Sequence, residues 1–132
     1  MKGYITHIES EALENTNFRK VLYTSDHSQL VLMSLVPGEE IGEEVHHTND
    51  QFFRIESGEG KCTIDGVERF IADGDAIMVP SGAKHNIRNT SKTQFLKLYT
   101  IYSPPHHRDK IVRETKKEAE EKAAFYQGVT TE

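Results

Sequence analysis

Short runs in which apolar and polar residues alternate fill the middle of this chain, and each run is the length of a strand. Val, Leu and aromatic residues crowd Phe18–Thr24 and Gln29–Val36, as they do in β-strands. Similar runs fall at Glu44–His47, Gln51–Glu56, Lys61–Asp65, Glu68–Ala72, Ala76–Val79, His85–Asn89 and Gln94–Tyr102. Turn residues punctuate them at Asp26-His27, Pro37-Gly38, Ser57–Gly60, Asp65-Gly66 and Asp73-Gly74. Asp-Gly pairs suit tight hairpins because glycine tolerates positive φ. Many short strands so spaced predict an all-β sandwich or barrel over residues 18–103.

The flanks read differently. Residues 1–17 are mixed and polar, an arm with a short helix at Glu9–Leu13. Residues 104–132 open with the loop Pro104-Pro105-His106-His107 and continue into a helical pattern over Thr115–Gln127. Thr115 and Glu118 form a capping-box pair, and Glu118 and Lys122 stand in i,i+4 relation. Ala119, Ala123 and Tyr126 share a face, and Gly128 supplies a stop. The apolar stripe is narrow, so loose packing on the outside of the β-structure is expected. Several strands are apolar on both faces: along 29–36, Leu30 and Leu32 point one way, and Val31, Met33 and Leu35 the other. One face lines the interior. The other needs a cover, and a second copy of the chain is the simplest one. A homodimer is therefore expected.

A length of 132 residues predicts one domain with a core that needs no disulfide or structural metal. Lys and Arg number 16 against 21 Asp and Glu, a formal charge of −5. That balance argues against nucleic acid as a partner, since phosphate contacts need clustered cations. No apolar run approaches the roughly 20 residues of a membrane span. The N-terminal MKGYITHIESEALEN lacks the apolar stretch of a signal peptide. A single cysteine, Cys62, excludes an internal disulfide. It alternates with Ile64 and reads as a small buried apolar residue. A soluble, cytoplasmic protein is the expectation.

The residues able to carry chemistry gather in two segments. One holds Gly38, Glu44, His46, Gln51 and Gly58; the other holds Gly74, Pro80, Gly82, His85 and Asn89. Residues i and i+2 of a strand point to the same side. Glu44 and His46 therefore share a face, and Gln51, Phe53 and Ile55 align on the next strand. If that face is interior, His85 arrives at it from a third strand. A one-residue slip would put Val45 in place of Glu44, so His47 is read as facing outward. His106 and His107 are read as surface residues of their loop. Phe52 and Phe53 are read as core or interface residues. Tyr99 and Tyr102 are expected to be packed, with their hydroxyls satisfied. Arg54 and Lys97 are read as solvent-facing; an inward turn of either would point to an acidic substrate.

In spacing, the two segments resemble the two motifs of the cupin family. The second motif, Gly74, Pro80, Gly82, His85 and Asn89, matches at every position. The first carries Glu44 where the family has its first His, and Gln51 where it has Glu. The resemblance covers roughly residues 28–103. It implies a jelly-roll β-barrel (a double-stranded β-helix), usually dimeric, followed here by the short C-terminal helix. It also implies a divalent transition metal (Fe, Mn, Ni, Co or Zn) held by Glu44, His46, Gln51 and His85. Asn89 and the motif glycines would be structural. One carboxylate, one amide and two imidazoles leave a divalent site at about +1, the same sum as the usual three His and one Glu. Oxygen and imidazole donors suit such metals, but a weak amide oxygen lowers affinity. Two functions follow. One is a metal-dependent enzyme, an isomerase, dioxygenase or lyase, acting on a small polar metabolite inside the barrel. The alternative is a non-catalytic module that binds or senses a sugar or organic acid.

Overall fold

The computed structural model describes residues 1–132. A short helix, α1 (Ile8–Glu14), precedes nine consecutive strands. These are β1 (Arg19–Thr24), β2 (Gln29–Leu35), β3 (Glu44–Val45), β4 (Asp50–Ser57), β5 (Glu59–Ile64), β6 (Val67–Ala72), β7 (Ala76–Val79), β8 (Lys84–Asn89) and β9 (Leu96–Ser103). A short β10 (Val112–Arg113) and a helix α2 (Lys116–Glu121) complete the chain. No helix is long and apolar enough to cross a membrane.

The strands form two antiparallel sheets, ordered β10-β1-β2-β9-β4-β7 and β3-β8-β5-β6. They do not close into one hydrogen-bonded ring, so the expected barrel is a two-sheet jelly roll. Val31, Met33 and Leu35 of β2 meet Cys62, Ile71 and Ile87 of the smaller sheet in one core. Phe53, Ile55, Leu96 and Leu98 are also buried there, each stabilising the fold by roughly 1.5–3 kcal/mol. Asn89 is buried too. Its amide donates to the carbonyls of Leu35 and Gln94 at 3.0 and 2.8 Å. It thereby ties β8 to the ends of β2 and β9.

Part of the second face of β2 is covered by the chain's own N-terminal arm. The helix α1 lies against β2, β4 and β9, with Ala12 fully buried. The Ser34 N–H donates to the Asn17 carbonyl at 3.1 Å, and Lys97 Nζ donates to the Asn15 carbonyl. The arm thus covers Leu32 and Ser34, both buried. What it leaves open is a row in register, Leu30, Ile101, Phe52 and Met78, running across β2, β9, β4 and β7.

Three further expectations are corrected. The C-terminal helix ends near Lys122 rather than at Gln127. Its last carbonyl, that of Lys122, accepts from Arg113 Nε and Nη2 at 3.1 and 2.8 Å. The chain beyond is drawn into extended pairing with the histidine loop, Phe125 opposite His107. The helical ion pairs are Lys116–Glu120 and Lys117–Glu121, not Glu118–Lys122. Nor does α2 pack loosely, because Ala119 is part of the core.

Candidate metal centre

Strand β3 pairs with β8 in the register Glu44 opposite His85. Directly opposed residues leave a sheet on the same side, so the two side chains enter the interior together. His46 follows two residues after Glu44 and joins them. The turn before β8 anchors the group. Gly82 has φ +88, and its N–H donates to the His46 carbonyl at 2.9 Å. That backbone conformation favours glycine, and the bond ties the second motif to the first.

The ligand atoms of Glu44, His46 and His85 all lie within 4.8 Å of one another. Glu44 Oε2 stands 2.8 Å from His46 Nε2. Burial pushes the Glu44 carboxyl up, but the hydrogen bond and charge of His46, with Arg19 and His85, outweigh it and hold the group below its usual value. Glu44 is therefore a carboxylate at neutral pH.

Gln51 enters from β4, in the facing sheet, and is buried. Its Nε2 donates to Thr100 Oγ1 at 3.0 Å, which turns its Oε1 toward His85 Nε2 at 3.2 Å. His85 Nδ1 lies 3.0 Å from the Ala83 carbonyl. A carbonyl only accepts, so this contact assigns the proton to Nδ1. In the neutral ring the Nε2 lone pair is then turned toward the Gln51 amide oxygen in a buried site. A cation bound there would satisfy both. The donor set, two imidazole nitrogens with carboxylate and amide oxygens, fits a divalent transition metal. The Ala83 carbonyl and Thr100 hydroxyl are the kind of outer partners that orient metal ligands.

Around this group the sequence reading needs correction. His106 and His107 are not surface residues. The buried Gln29 amide accepts from the N–H groups of His106 and His107 at 3.2 and 2.9 Å and donates to the His107 carbonyl at 2.7 Å. This folds the loop over the mouth of the jelly roll. The His106 ring stands 4.5 Å from that of His46. Burial, then the charge of His46, pushes His106 down to about 4, against the opposing pull of Glu44. It is neutral at pH 7. His107 is buried and hydrogen-bonded to the Tyr102 hydroxyl at 3.2 Å, and burial lowers its pKa as well. Tyr102 is packed with its hydroxyl partnered, as expected. His47 faces out and Cys62 is buried, also as expected. Phe53 lies in the core and Phe52 on the outer face. Arg54 and Lys97 stay on the outer face, Arg54 beside Glu56 at 3.4 Å.

One residue escaped the sequence reading. Arg19 lies opposite Met33 and shares a face with Val21, and both of these are in the core. It borders a cavity of about 320 Å³ together with Glu44, His106, Ala119 and Phe125. The parity with Val21 was the signal that could have found it.

A family model described as "Cupin domain" matches residues 31–102. The chain belongs to the cupin family. Among relatives of this cupin, the uncharacterized protein YrkC of Bacillus subtilis is 43% identical over 124 residues, 89% of this chain and 66% of that one. The uncharacterized protein L612 of Acanthamoeba polyphaga mimivirus is 44% identical over 108 residues, 79% of this chain and 67% of that one. This cupin thus spans about two thirds of the length of each. A crystal structure of BH2720 from Bacillus halodurans superposes with a TM-score of 0.89 at 40% identity, covering 92% of this chain and 96% of that one.

Proposed function

We propose that this cupin is a metal-dependent enzyme acting on a small polar metabolite bound at the mouth of the jelly roll. The observation that carries the reading is the convergence of Glu44, His46 and His85 within 4.8 Å. These three residues would hold the ion, Fe, Mn, Ni, Co or Zn, with Gln51 as a fourth donor. A metal there supplies Lewis acidity toward a substrate oxygen. The protein's own part is orientation. Ala83 and Thr100 set His85 and Gln51, and Pro80 to Ala83 hold the strand that presents His85. The loop folded over by Gln29 restricts water at the mouth. His106 borders the cavity outside the ligand set, as a neutral imidazole able to accept a hydrogen bond from a substrate hydroxyl.

The test is a turnover screen of sugars, hydroxy acids and keto acids, with protein refilled in turn with each of the five metals. Turnover that EDTA abolishes and the same metal restores supports the enzyme. Metal-replete protein that binds a ligand without turnover moves the reading to a binding or sensing module. We also propose a homodimer. The row Leu30, Ile101, Phe52 and Met78 supports it, because a two-fold axis sets such a row against itself.

A further inference from the structure

We infer that the cavity beside Glu44 binds a small carboxylate and that Arg19 is the residue that pairs with it. The inference rests on the reading of Glu44, His46 and His85 as the centre of the site, and it names the substrate class.

Arg19 points into the molecule from the first position of β1, opposite the buried Met33. Its Nε is buried without an acceptor. The other charges around this cavity are matched. Glu43 pairs with Lys84 at 3.1 Å and Lys116 with Glu120 at 3.9 Å, and Glu44 is hydrogen-bonded to His46 at 2.8 Å. Arg19 takes part in none of the molecule's ion pairs. Its one close neighbour of note is the Phe18 ring, with Cζ 5.4 Å from the centroid. That contact steadies the guanidinium but satisfies none of its donors. A buried guanidinium N–H without an acceptor is costly, and an anionic ligand beside it would remove that cost.

Arginine's planar fork matches a carboxylate in bidentate fashion. Arg19 and Glu44 line the same cavity, so a ligand paired with Arg19 sits beside the triad. The cavity volume, about 320 Å³, is at the small end of ligand sites and suits an acid of a few carbons. Phe18, Ile41, Ala119 and Phe125 make part of the wall apolar, beside the polar Glu43, Lys116 and Glu120, and a short carbon chain can pack against that apolar part.

The test is calorimetric titration with pyruvate, lactate and succinate, with inorganic phosphate and glucose as comparisons. It uses wild type, Arg19→Lys and Arg19→Met, each as metal-loaded and as EDTA-treated protein of measured metal content. At least one carboxylate is expected to bind wild type. Arg19→Met should weaken it at least tenfold, and Arg19→Lys should weaken it less. Equal affinity in wild type and Arg19→Met, no binding of any of the three acids, or tighter binding of phosphate or glucose overturns the inference. If the protein takes up no metal yet shows Arg19-dependent carboxylate binding, the metal reading fails and this one stands. If metal binds and Arg19 is irrelevant to the acids, this one alone fails. Should Arg19→Met not fold, phenylglyoxal labelling of wild type decides. Slower labelling of Arg19 in the presence of a carboxylate supports the inference, and unchanged labelling overturns it.

Discussion

Each donor around the centre is held by a neighbour that leaves it one useful orientation. The Ala83 carbonyl holds His85, and the Thr100 hydroxyl holds Gln51. Removing a ligand should therefore differ in kind from removing the weak amide. His46→Ala and His85→Ala are expected to lose stoichiometric metal uptake, read by elemental analysis after dialysis. His47→Ala, an exposed change, should retain it. Gln51→Ala should weaken affinity by about 10–100-fold, the size usual for supporting groups. The thiol of Cys62 tests burial independently. Burial pushes its pKa up against the pull of Arg69, and the residue is sealed in the core. Ellman's reagent at pH 8 should find no thiol in native protein and one per chain in urea. A rapid native reaction would mean that the core is open there. Glu44, His46 and His85 could be read from the sequence because strand parity and motif spacing both place them. Arg19 had the parity signal without the motif. His106 and His107 had neither, since their position depends on the distant, buried amide of Gln29.

Among the elements, β1 to β9 were legible to within two residues at each end, while the short β10 fell in a stretch read as loop. Their boundaries are set by local turn chemistry and by alternation, and Ala76–Val79 is identical in sequence reading and structure. The end of α2 was not legible, because Arg113 and the pairing of Phe125 with His107 stop it from outside. Its start was, since Thr115 Oγ1 accepts from the Glu118 N–H at 3.1 Å. Thr115→Ala should cost about 1 kcal/mol, seen as a lower urea midpoint. The glycines offer a sharper test of strand crowding. A Cβ at Gly58 would meet the Phe95 carbonyl oxygen at 2.5 Å, at φ +95. Gly58→Ala should destabilise by about 2–5 kcal/mol, combining left-handed strain with overpacking. Gly66, at φ +82 but in open space, should lose only the roughly 1–2 kcal/mol of the strain. Equal losses at the two sites would show that Phe95 yields freely.

For the whole molecule, the apolar both-faces pattern of β2 was legible, but its meaning divided. The N-terminal arm covers Leu32 on the face of β2 turned away from the core. Leu30, Ile101, Phe52 and Met78 remain open, with Met78 61% exposed. Light scattering should return about twice the chain mass of 15.0 kDa, and Phe52→Glu should shift it toward one chain. A wild-type monomer at micromolar concentration would remove the homodimer. The central claim is tested most directly by metal stoichiometry. Wild type and His85→Ala, both purified without chelating tags, would be dialysed against Mn, Fe, Co, Ni or Zn and then against buffer. Close to one divalent ion per wild-type chain is expected for at least one of these metals, and none in His85→Ala. No retained metal in wild type, or equal retention in both proteins, would contradict it.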